Sequence, residues 1–331
     1  SGAGIWINGP VDGVTINNVD AQYNRSRGIV VWNGFKQNIT ITNNYVANNN
    51  CCGIELQDGT ASGVTISGNT VINNADSGIG AIGLMAGAGP NVISNNTVTD
   101  NGRFGIEIKL PNGSGMASGD GSIVVENNTV SLTASPTDVR DFAGIAVIRR
   151  AWLGSSGNAD IPTGVIVRNN AVSGYVQTSN STGFGIVAEG LNTFVLNNTL
   201  TGNDVGVQVQ AGHAPYSANT NVDVDQSNLN DEYFGRGNSP VACIGVSGNV
   251  FTSNTVDFRR VDTNNPGAAS SCSTSLLVPS TAPVDNALLT SATSSLHGFH
   301  LFHKHTNNYN VFASGYRLCL CHGCTTALAT A

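Results

Sequence analysis

The chain has 331 residues and a formal net charge of −7, with 14 Lys and Arg against 21 Asp and Glu. With only 11% charged residues it carries no basic stripe of the kind a nucleic-acid binder or a polybasic membrane-surface protein needs. No apolar run approaches the roughly 20 residues of a membrane span. At 40% hydrophobic the chain can bury a core, but its 40 glycines and many Asn, Thr and Ser disfavour long helices.

Taken in chain order, three short phrases recur. The first is Gly, a β-branched residue, then alternation: GIVVW from Gly28, GIELQ from Gly53, GIGAI from Gly78, GIEIK from Gly105, GIAVI from Gly144, GIVAE from Gly185 and GVQVQ from Gly206. The second runs NITITNN from Asn38, GVTISGN from Gly63, NVISNN from Asn91, SIVVENN from Ser122, GVIVRNN from Gly164, TFVLNN from Thr193 and NVDVDQSN from Asn221. The third follows at once, as in NYVANN and NTVINN. Segments this short with a period of two predict strands. Three strands in about 25 residues, separated by Gly and Asn, predict one rung of a solenoid whose inward residues stack in columns.

The expected columns are Ile29, Ile54, Ile79, Ile106, Ile145, Ile186 and Val207, then Ile41, Ile66, Ile93, Val125, Val167, Leu196 and Val224, and finally Val46, Val71, Val98, Val130, Val172 and Leu200. Branched side chains with stiff χ1 suit such stacking. Asn44, Asn69, Asn96, Asn128, Asn170 and Asn198 hold equivalent turn positions. Asn tolerates left-handed backbone and can bond the next turn, so an asparagine ladder is expected there.

These phrases resemble the right-handed parallel β-helix proteins of the pectate-lyase-like superfamily, over about residues 4–256. The resemblance implies an all-β, right-handed parallel β-helix of about nine rungs with an irregular C-terminal segment. That superfamily includes polysaccharide lyases, glycoside hydrolases, uronan epimerases, tailspikes and adhesins. The polygalacturonase set of Asn-Thr-Asp, Gly-His-Gly and Arg-Ile-Lys is missing, as is the Asp-Pro-His-Asp of uronan epimerases.

The solenoid is expected over residues 1–260, followed by an irregular linker or cap and a His- and Cys-rich tail over 261–331. Ser1 leads almost directly into GIWING, which reads as a mature, trimmed or fragmentary end. Two readings of the tail stay open. One is a metal site drawing on His300, His303 and His305 with Cys321 and Cys324, all plausible ligand types. The other is a poorly specified segment, since Cys-x-Cys-x-x-Cys is not a standard zinc spacing. Cys243 and Cys272 flank the end of the solenoid and are expected to pair if the protein is extracellular. Adjacent Cys51 and Cys52 read as two separate thiols at a rung corner.

Inward residues form the core, so chemistry must use outward positions of one sheet and the loops beside it. Those positions in the first strand are Val30 and Trp32, Glu55 and Gln57, Glu107 and Lys109, Ala146 and Ile148, Val187 and Glu189, then Gln208 and Gln210. Insertions at 110–121, 131–143 and 150–163 would wall a groove holding Glu107, Lys109, Asp120, Asp138, Arg140, Asp141, Arg149, Arg150 and Trp152. A mixed-charge groove with an aromatic suits an acidic extracellular polysaccharide. In β-elimination Lys109 would be the base, with Arg149 or Arg150, or calcium held by Glu55, Glu107 or Asp120, neutralising the uronate. In hydrolysis two carboxylates would flank the bond, Glu107 with Asp141 or Glu55 with Glu107. Trp32, Glu55, Gln57, Asp120, Arg140, Asp141, Trp152 and Glu189 would contact the sugar. β-Elimination by a secreted or cell-surface protein is the leading expectation. A non-catalytic structural or adhesive rod, and a hydrolase or epimerase, are the alternatives.

Overall fold

The computed structural model describes residues 2–85, 89–109, 123–134, 142–148, 164–178, 182–209 and 242–260, together with the strands Asn310–Ala313 and Tyr316–Cys319. The strands from Ile5 to Arg260 fall into three parallel sheets that wind as a solenoid. Sheet 1 has nine strands: Ile5–Asn8, Ile29–Trp32, Ile54–Gln57, Ile79–Ile82, Phe104–Lys109, Phe142–Ile148, Gly183–Ala188, Val205–Val209 and Val256–Arg260. Sheet 2 has eight: Val11–Asn17, Phe35–Thr42, Thr60–Ser67, Asn91–Ser94, Ile123–Glu126, Val165–Arg168, Gly190–Leu196 and Ala242–Ser247. Sheet 3, also of eight, is made of three-residue strands running from Asp20–Gln22 to Val250–Thr252. Asn310–Ala313 and Tyr316–Cys319 pair as an antiparallel hairpin.

The first column stacks as expected from Ile29 to Val207, and Ile5 and Phe258 extend it at its two ends. The third column also holds, from Val46 to Leu200. The second column needs one correction. Val195, not Leu196, pairs with Val167, and Val246 stacks on Val195. Leu196 points the other way, because a shift of one residue flips every side chain across a strand. Val224 lies outside the described residues.

The Asn pairs divide their labour. The first member of each pair takes the left-handed backbone that turns the corner, as at Asn43, Asn95, Asn127, Asn169 and Asn197, with φ of 54° to 57°. The second member points inward and forms the ladder. Asn44, Asn69, Asn96, Asn128, Asn170, Asn198 and Asn249 are buried, and each of the first six donates its side-chain amide to the Oδ1 of the next at 2.9–3.0 Å. A second ladder runs along the corner after sheet 3 through Asn24, Asn49, Asn74 and Asn101. It resumes at Asn203 and Asn254. Tyr175 fills the gap, with its fully buried ring lying under Gly105 and Gly144 where the neighbouring rungs have an Asn amide. Close approach also explains the repeating Gly. A Cβ at Gly53 would meet Val71 Cγ1 at 2.5 Å and Asn74 Nδ2 at 2.8 Å.

One core position breaks the apolar pattern. Lys36 aligns with Val11 and Ala61 on the inward row of sheet 2 and is fully buried. Its ammonium donates to the carbonyl oxygens of Gly34 at 3.2 Å, Gln57 at 3.3 Å and Asp58, tying two successive corners together. Burial pulls its pKa down to about 8, against the opposing pull of the Asp58 charge. Below pH 8 the full cost of the buried ammonium is present. Between about 8 and the ordinary 10.5 the unfolded chain holds the proton more tightly, so stability rises with pH across that window. Urea midpoints measured from pH 7.5 to 10 should therefore climb more steeply in the wild type than in Lys36→Met. Parallel curves would refute this assignment.

Candidate functional site

The outward face of sheet 1 carries the ionisable side chains of the candidate site. In register, one outward row reads Trp6, Val30, Glu55, Gly80, Glu107, Ala146, Val187, Gln208 and Arg259. The next outward row contains Trp32 beside Gln57, and Ile82, Lys109 and Ile148 in line. Glu55 and Glu107 are thus two rungs apart, with Gly80 between them. A Cβ on Gly80 would lie 3.5 Å from Glu55 Cγ and 3.6 Å from Glu107 Oε2. The missing side chain lets both acids lean over one gap.

Each acid has its own cation. Arg27 bonds Glu55 through Nε and Gln57 Oε1 through Nη2, the latter at 2.6 Å. Glu107 accepts the Ser77 hydroxyl at 2.9 Å through Oε2, and its Oε1 lies 2.5 Å from the Lys109 ammonium. Glu55 is 6% exposed and Glu107 4%. Burial pushes the Glu55 carboxyl above the usual carboxylate range. Arg27 opposes that shift, and the charges of Glu107 and Asp76 reinforce it. Arg27 is itself raised, because the bond and charge of Glu55 outweigh the effect of its own burial.

These groups enclose a cavity of about 180 Å³. Its lining holds three cations (Arg27, Arg103 and Lys109), three acids (Glu55, Asp76 and Glu107) and the thiols of Cys51 and Cys52, with Gln57, Ile82 and Phe104 completing it. The Arg103 guanidinium lies 5.2 Å from the Phe104 ring centroid and the Lys109 ammonium 6.0 Å. The Cys51 thiol is drawn down to about 7, chiefly by the hydrogen bond with Cys52, with Arg27 helping. The same contact and burial push Cys52 well up.

Beside the cavity the first rungs carry an aromatic platform. Trp6 and Trp32 stack with ring centroids 5.1 Å apart and planes 17° apart. Arg27 sits 5.2 Å from the Trp32 ring centroid. That guanidinium therefore links the platform to Glu55 and Gln57. Trp6 is 40% exposed.

Among the residues expected at a site, Trp32, Glu55, Gln57, Glu107 and Lys109 come together here. Glu189 does not. It is buried at the end of the seventh strand of sheet 1, away from the cavity lining. Ala146, Ile148 and Val187 pack with Phe104, Ala143, Phe184 and Val205 into a second apolar cluster outside the sheet. Asp120, Asp138, Arg140, Asp141, Arg149, Arg150, Trp152, Cys272, His300, His303, His305, Cys321 and Cys324 lie outside the described residues, as does the side chain of Cys243. The calcium expectation fits Glu55 and Glu107 poorly, because Arg27 and Lys109 already hold those carboxylates. Arg27, Asp76, Ser77, Gly80 and Arg103 were not foreseen. They come from rung corners, or in the case of Gly80 from the lack of a side chain, and an alternation pattern signals neither.

Residues 1–86 match a family model described as the right handed beta helix region. The solenoid is accordingly a right-handed parallel β-helix, and the match specifies the fold without singling out a pectate-lyase-like branch. No curated protein and no solved structure matches the chain. Among the described residues no helix is long and apolar enough to cross a membrane.

Proposed function

We propose that this β-helix is a secreted or cell-surface protein that binds and hydrolyses an acidic polysaccharide at the outward face of sheet 1. The observation that carries this reading is the pair of buried carboxylates facing one gap across Gly80 with unequal surroundings. Glu55, its pKa raised, suits the general acid that protonates the leaving oxygen. Glu107, held by Lys109 and Ser77, suits the base that activates water. Strands two rungs apart are about 9.6 Å apart, and inverting enzymes hold their two carboxyl groups roughly 6.5–9.5 Å apart, which makes a pair with one rung between them a candidate for inverting hydrolysis. Arg27, Arg103 and Lys109 supply positive charge for a uronate, and Trp6 with Trp32 supplies a stacking surface for the neighbouring sugar.

A purely structural rod has no use for six charged side chains lining a recess in its wall, since desolvating them costs free energy. β-Elimination remains the second reading. It is weakened by the contact between Lys109 and Glu107, which turns the ammonium toward a carboxylate of the protein itself.

The two chemistries leave different products. Hydrolysis releases reducing ends without the ultraviolet absorbance of an unsaturated uronate, and β-elimination produces both. With pectate, alginate, hyaluronan and heparin-type polymers as substrates, reducing ends without new absorbance are expected. The rate should fall as pH rises through the raised Glu55 value, because the acid form is the active one. Glu55→Gln should lower the rate by about 10²–10⁴-fold. Absorbance that grows in step with reducing ends would replace hydrolysis with elimination, and no product from any polymer would favour the rod.

A further inference from the structure

The corner that brings the chain from sheet 3 into sheet 1 holds three metal-ligand side chains on two successive rungs. Cys51 and Cys52 are adjacent in sequence, and the Asp76 amide donates to the Cys51 carbonyl at 3.2 Å, which fixes Asp76 directly beside them. Their ligand atoms, two sulfurs and a carboxylate oxygen, all lie within 4.8 Å of one another. The two sulfurs are 3.7 Å apart, too far for a disulfide bond at about 2.05 Å. That spacing matches a chelate. Two thiolates bound at about 2.3 Å to one tetrahedral zinc ion are about 3.8 Å apart. Cys52 is buried and Cys51 half-buried, and all three side chains line the cavity described above.

We propose that Cys51, Cys52 and Asp76 form a binding site for a thiophilic divalent cation, Zn²⁺ or a close relative, with its fourth coordination position open to the cavity. Two sulfurs and one oxygen favour Zn²⁺ over Ca²⁺ or Mg²⁺, which require oxygen ligands. Binding would displace the thiol protons and leave the sulfur oxidation state unchanged. The donors are registered by the backbone bonds between rungs, so the site is preorganised and does not depend on a mobile loop. None of its ligands is Glu55 or Glu107, so its test needs no hydrolytic activity.

Co²⁺ titration of the reduced full-length chain tests this. Wild type and Cys51→Ser/Cys52→Ser should be compared, so that Cys243, Cys272, Cys319, Cys321 and Cys324 contribute equally to both. The expected difference is one equivalent of Co²⁺ with sulfur-to-cobalt charge transfer and intense tetrahedral visible bands. These should bleach on adding one equivalent of Zn²⁺. Asp76→Asn should weaken binding by about 10–100-fold while keeping the charge-transfer band. Identical spectra and stoichiometry in wild type and the double variant would overturn the proposal. So would a thiol count that falls by two because Cys51 and Cys52 have oxidised to each other under the titration conditions. Melting curves of the metal-free forms show whether the double variant folds. If it does not, the single Cys51→Ser variant, which must lose the charge transfer of one sulfur, decides the matter.

Discussion

Glu107→Gln is expected to lower polysaccharide turnover by about 10³-fold, the typical contribution of a positioned general acid or base. Glutamine keeps the shape and can still accept the Ser77 hydroxyl bond, but it cannot take a proton from water and no longer pairs with the Lys109 charge. Substrate affinity should change much less than turnover, because Arg27, Arg103 and the Trp6–Trp32 platform remain in place. Glu126→Gln is the matched control. Glu126 pairs with Arg168 at 2.7 Å on sheet 2, on a more exposed face away from the cavity lining, and its loss should leave turnover unchanged. Equal rates for wild type and Glu107→Gln would remove Glu107 from the chemistry.

The second large effect is on stability. Asn96→Ala should destabilise the solenoid by about 4 kcal/mol, since several buried groups lose partners worth about 1–3 kcal/mol each. Asn96 Oδ1 accepts both the backbone amide and the side-chain amide of Asn69, at 2.9 and 3.0 Å. Its own amide donates to Ile66 O at 3.0 Å and to Asn128 Oδ1 at 2.9 Å. Alanine leaves these donors and acceptors buried with no water to replace the lost bonds. The preceding residue is a sharp contrast. Asn95 is exposed and holds a φ of 57°. Asn95→Gly should therefore cost almost nothing, and Asn95→Ala about 1 kcal/mol of left-handed strain. Urea unfolding of the three variants checks this order. Equal losses at positions 95 and 96 would contradict the division of roles within the Asn pair.

The fold was legible because solenoid repetition writes the same constraint many times. Isoleucine at 29, 54, 79, 106, 145 and 186 marks one column, and a buried Asn marks the corner between sheets 2 and 3 from Asn44 to Asn249. The slip at Leu196 shows the limit of reading by residue size. Counted back from the left-handed Asn197, the inward position is Val195, just as Ile93 precedes Asn95 by two and Val167 precedes Asn169 by two. The two carboxylates were also legible, since alternation from Gly53 and Gly105 puts Glu55 and Glu107 outward with one rung between. Their surroundings were not. Arg27, Cys51, Cys52, Asp76 and Arg103 sit at corners, outside any alternating phrase, and only the stacking of rungs makes them neighbours. The apolar cluster of Phe104, Ala146, Phe184 and Val187 was missed for a related reason: an outward position in a parallel sheet need not meet water. Lys36 illustrates the opposite case, a charged residue that the corner carbonyls hold inside.

The central claim is that the gap across Gly80 cleaves sugar chains by means of its two acids. Its most direct test is the release of reducing ends from acidic polysaccharides by wild type and Glu107→Gln, matched for secondary structure and melting temperature. The account predicts release by wild type on at least one polymer and about 10³-fold less by the variant. Release at the same rate from both proteins, or from neither, would contradict it.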